Sequence, residues 1–83
     1  MFDVMLFGHG WSGETGQVKE GVRTLTVPAR APDEGDVTFF ITAWLADSGE
    51  TYLIGTADHE PAKRDIVSAI ARWQPKPAPF PHF

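Results

Sequence analysis

Cysteine is absent from this chain of 83 residues, which removes disulfides, thiolate nucleophiles and cysteine-based zinc sites together. Whatever fold forms is held by packing alone. Basic residues are scarce as well: 7 lysines and arginines stand against 11 aspartates and glutamates, a net charge of −4. Such a chain has no global field for a phosphate backbone or an anionic membrane, so neither nucleic acid nor membrane is an expected partner. The N-terminal run Met1–Phe7 carries Asp3, lacks a basic leader and stops at Gly8, too short for a membrane span or a signal peptide. A cytoplasmic protein is the expectation. There is no internal repeat and no block of like charge.

What is present, 42% hydrophobic and 22% charged residues, belongs to a globular chain with room for one domain of modest stability. Phe2, Val4 and Leu6 alternate with Asp3, Met5 and Phe7 and predict a strand over 1–7. Residues 8–21 hold five glycines among mostly polar residues and read as a long flexible loop. Val22 to Val27 alternates again and ends at Pro28, a second strand. The clearest strand is 37–45, with Val37, Phe39, Ile41, Ala43 and Leu45 on one face and Thr38, Phe40, Thr42 and Trp44 on the other. Asp47-Ser48-Gly49-Glu50 is a hairpin signal leading into a strand over 51–57. A two-residue Ser48-Gly49 loop pairs Leu45 with Tyr52 and Ala43 with Ile54 on the core face; a three-residue loop changes that register.

Asp58-His59-Glu60-Pro61 reads as a helix start with Asp58 or Glu60 as cap, and the helix runs to about Trp73. Its stripe of Ala62, Ile66, Ile70 and Trp73 is set to cover the face of Val37, Phe39 and Ile41, leaving Phe40 and Trp44 turned away. Prolines at 75, 77, 79 and 81 end it in an extended tail. The expected fold is α+β: a small antiparallel sheet of three to four strands covered on one face by a single C-terminal helix, in the order β-β-β-β-α. Residues 1–74 form the domain and 75–83 the Pro/Phe-rich tail.

Gly8-His9-Gly10-Trp11-Ser12-Gly13 matches the G-x-G-x-x-G dinucleotide fingerprint after a strand, but no helix opens at the third glycine to meet a pyrophosphate. The stretch Leu6–Gly13 also resembles the strand and His-Gly loop that supplies part of the oxyanion hole in α/β-hydrolases, over less than a tenth of the chain. A nucleophile elbow needs G-x-S-x-G, and Glu14 stands where the second glycine belongs. His9, His59 and the acids Asp58 and Glu60 are the materials of a metal or acid–base site, yet helix capping explains the acids and nothing in the spacing brings His9 to them. A triad of Ser12, His9 and Asp3 has no supporting spacing either.

These failed contexts predict no catalytic residues, no metal and no cofactor. The aromatic residues carry the functional expectation: Trp11 in the glycine-rich stretch, Phe40 and Trp44 on one strand face, and Phe80 and Phe83 in the tail are the candidate protein-binding residues. The expected function is a small non-enzymatic protein–protein interaction module, of the kind that regulates or inhibits a larger bacterial assembly and that phages or mobile elements encode. The alternatives are an anion- or nucleotide-binding or hydrolase-like protein using Gly8–Gly13, and a structural homodimer that buries the aromatic face.

Overall fold

The computed structural model describes residues 1–78. They form five strands and a helix: β1 (Phe2–Gly8), β2 (Trp11–Val18), β3 (Thr24–Pro28), β4 (Asp36–Leu45), β5 (Thr51–Thr56) and α1 (Lys63–Trp73). The sheet order is β2-β1-β5-β4-β3, with β1 and β5 parallel and every other pair antiparallel. It curls into a half-barrel. The expected antiparallel sheet of three to four strands is thus corrected in number and direction: there is a fifth strand, and the first and last strands run the same way.

The added strand is β2, inside the stretch whose glycines predict a loop. Two of those glycines serve close packing instead of flexibility. A Cβ on Gly13 would lie 2.3 Å from Cβ of Ala69 in α1, and one on Gly16 would lie 3.1 Å from Cδ2 of Leu25 in β3. Gly13 also has φ +99° and sits where the β1–β2 register slips by one residue, a β-bulge that only glycine accepts without strain.

The half-barrel has two apolar layers. Inside it, Val4, Leu6, Val18, Val37, Phe39, Ile41 and Leu53 pack together. Outside it, Met5, Phe7, Tyr52 and Ile54 receive Ile66 and Ala69 of α1, with Trp44, Ala46 and Ile70 at the margin. The helix therefore lies on the face opposite to the one expected. Three loop residues cause this: Ala46 and Glu50 close the β4–β5 hairpin around Asp47-Ser48-Gly49, with Gly49 at φ +90°. Trp44 consequently pairs with Tyr52 and Leu45 with Thr51, one residue out from the two-residue register, and every side chain of β5 changes face relative to β4.

The helix starts later than the acids suggest. Ala62 is its N-cap with no side-chain cap bond, so Asp58 and Glu60 are loop residues. Val67 and Trp73 remain 48% and 40% exposed, which takes Trp73 out of the expected buried stripe. At the other end Gln74 turns left-handed and donates its N–H to the Ile70 carbonyl before Pro75. The segment then returns to the sheet. The Lys76 N–H donates to the Asp3 carboxylate at 3.0 Å and the Ala78 N–H to the Thr51 carbonyl at 2.7 Å, with Pro75 and Ala78 buried. Phe80 and Phe83 lie outside the described residues.

Candidate functional site

The β1–β2 turn is the local origin of the site. Gly8 pairs with Trp11, which leaves His9 and Gly10 as a two-residue loop at φ 51° and 88°, the pair of positive angles that matches the twist of a tight hairpin. Gly10 is needed for a second reason. A Cβ there would lie 2.5 Å from the Arg30 carbonyl carbon, because the β3–β4 loop packs on the turn and the Arg30 N–H donates to the His9 carbonyl at 2.9 Å.

Side chains join the two edge strands here without a backbone ladder. Trp11 packs edge-on against Phe39 with ring centroids 6.4 Å apart, and its Nε1–H donates to the Pro28 carbonyl at 3.2 Å. The Arg30 guanidinium lies 4.2 Å above the Trp11 ring and donates to Glu14 at 3.0 Å. Trp11 is therefore a half-buried closing residue of the half-barrel, its ring already engaged on one face by a cation.

His9 stands outside this closure, between two acids. Its Nδ1 is 2.6 Å from Glu34 Oε1 in the β3–β4 loop, and its Nε2 is 2.7 Å from Asp58 Oδ2 in the β5–α1 loop. An imidazole can donate from both nitrogens only when protonated. The hydrogen bond to Glu34 raises the His9 pKa above the ordinary histidine value; partial desolvation opposes this, and Asp58 raises it further. With both nitrogens committed, His9 has no lone pair with which to take a proton from Ser12. Its two acids sit on opposite sides of the ring and do not converge on an ion. Among the described residues no group of three or more histidines, aspartates and glutamates could hold a metal.

Beside this cluster opens a groove of about 720 Å³ between the β1–β2 turn and α1. Phe7, Trp11, Pro61 and Ala69 supply apolar lining, while Ser12, Asp58, His59, Asp65, Ser68 and Arg72 supply polar groups. The Ser12 N–H at its mouth donates to the Glu14 carboxylate at 2.5 Å, so one amide of the expected anion cradle already holds a carboxylate.

The aromatic residues singled out from the sequence are dispersed. Trp11 lines the groove; Phe40, 58% exposed, stands on the β3–β4 wing; Trp44 shares its strand face but is half-buried beside α1. Thr24 and Thr56 flank Phe40 across the sheet, and Thr26 and Thr38 share a hydroxyl hydrogen bond of 2.8 Å beside it. The spacing gave no reason to join His9 with Asp58, and the fold joins them, together with Glu34. Ser68 and Arg72, on the polar side of α1, carry no sequence signal that marks them as groove residues. A tight-turn reading of Gly8-His9-Gly10-Trp11 after the β1 run would have brought β2, and with it the groove wall, into view.

Among the described residues no helix is long and apolar enough to cross a membrane. Compared with protein-family models, with curated proteins and with solved structures, the chain matches none.

Proposed function

We propose that this chain is a non-enzymatic protein-recognition module that receives a partner's side chains in the groove between the β1–β2 turn and α1. The groove itself carries the reading: its volume of about 720 Å³ falls in the range of ligand sites, and apolar floor and polar rim are mixed along it. Its walls favour a protein over a small molecule. Ser12, Asp58, His59, Asp65, Ser68 and Arg72 are all exposed, so the site cannot enclose a small ligand as such sites do, whereas a protruding peptide segment needs one open side. The lack of cysteine accords with a cytoplasmic setting, and a role in regulating or inhibiting a larger assembly suits a module of this size.

Exposed Phe40 among threonines favours a second reading, self-association or partner contact through the β3–β4 wing. Affinity capture from the native host with Ser68→Trp and Phe40→Ser variants separates the two. Groove recognition predicts a protein retained by the wild-type chain and by Phe40→Ser but lost with Ser68→Trp. Loss with Phe40→Ser alone transfers the function to the wing, and capture by both variants at wild-type level overturns both readings.

A further inference from the structure

His9 touches three loops: its own β1–β2 turn, the β3–β4 loop through Glu34 and the β5–α1 loop through Asp58. The loops differ in how else they are held. Around Glu34, Ala29 and Gly35 share a backbone hydrogen bond of 3.0 Å and Arg30 is tied to the His9 carbonyl at 2.9 Å. Around Asp58 there is no such support, for Asp58, His59 and Glu60 make no backbone hydrogen bond among those of the described residues. The carboxylates follow the same order, the Asp58 side chain being 66% exposed and that of Glu34 41%.

A neutral imidazole keeps one N–H and turns a lone pair toward the other acid, at a separation where two acceptors repel. One carboxylate has to leave. We propose that His9 is a proton-operated latch on the groove: the imidazolium bolts the β5–α1 loop to the β1–β2 turn, and the neutral ring keeps Glu34 and releases Asp58. Asp58 lines the groove, so its release frees one wall. The groups that act on the ring are Glu34 and Asp58; Arg30 is occupied by Glu14 and Trp11, and His59 and Glu60 follow Asp58 along the released loop.

The direction with pH follows from the raised His9 pKa. Below the ordinary value of 6.5 the ring is charged in folded and unfolded chains alike, and the latch contributes in full down to the range where carboxylates protonate. As pH rises through the higher folded-state value the proton leaves and the contribution is lost. The groove keeps its Asp58 wall fixed on the acid side and has it freed on the alkaline side.

The latch bears on function only if the groove is the recognition site, but it can be read with no partner present. NMR titration of the isolated protein should give a His9 midpoint above that of the same residue in the urea-unfolded chain. The amides of Ala57, Asp58 and His59 should shift with that midpoint, and hydrogen exchange there should rise on the alkaline side beyond the intrinsic pH dependence. The amides of Glu34 and Gly35 should hold. Glu34→Gln and Asp58→Asn, both conservative changes at exposed positions, should each lower the His9 midpoint. A His9 midpoint equal to the unfolded one, or 57–59 amides that ignore it, overturns the latch whatever the capture experiment shows; failed capture with an intact titration overturns groove recognition alone.

Discussion

The turn end of the half-barrel and its β3–β4 wing are held by different forces. At the turn end, His9, Glu34, Asp58, Arg30 and Glu14 link loops through hydrogen bonds and charge. At the wing, Phe40 stands exposed among threonines beyond the reach of an eleven-residue helix that covers the outer face around Met5, Phe7, Tyr52, Ile54 and Gly13. The contrast teaches where the molecule can respond to its surroundings. Apolar packing does not change with a proton, whereas a carboxylate–imidazole–carboxylate chain does, and here that chain borders the groove.

Three substitutions break or sharpen this contrast. The largest effect is expected from Phe39→Ala, because Phe39 is fully buried beneath Trp11 at the turn end and pairs with Leu25 of the wing. A loss of about 3–5 kcal/mol in urea unfolding, felt at both regions, is typical for an emptied aromatic site. A loss confined to one region would show that the two do not share a core. Gly13→Ala comes next. Its methyl group would meet Ala69 at 2.3 Å and hold a non-glycine residue at φ +99°, for a cost of roughly 1–3 kcal/mol and a displaced α1, visible as shifted amides along 66–70. Unchanged helix amides would mean that α1 is not seated on β2. Phe40→Ser should be the mildest, within about 0.5 kcal/mol of wild type, since its ring already faces water. A larger loss would make Phe40 a packing residue and remove the wing as a surface.

Much of the local structure is legible in the sequence, and most of what is not depends on contacts between distant residues. The alternation of Val37, Phe39 and Ile41 finds β4 and its buried face, because a strand writes its two faces directly into the chain. Residues Ile66 and Ile70 likewise mark the helix stripe. Gly13 and Gly16 conceal β2, since their lack of a side chain answers to Ala69 and Leu25, which no local window contains. The helix-bearing face hangs on a single loop residue at Asp47-Ser48-Gly49, and the parallel β1–β5 pairing leaves no local mark at all. The site follows the same rule. His9 and Asp58 were both visible as chemistry, but their 2.7 Å contact exists only after the sheet has curled.

Photocrosslinking in the native host tests groove recognition most directly. A photoreactive phenylalanine analogue at position 68 should yield a discrete adduct with one protein, while the same analogue at position 40 should yield none. An adduct from position 40 with none from position 68 would contradict groove recognition and assign the contact surface to the wing.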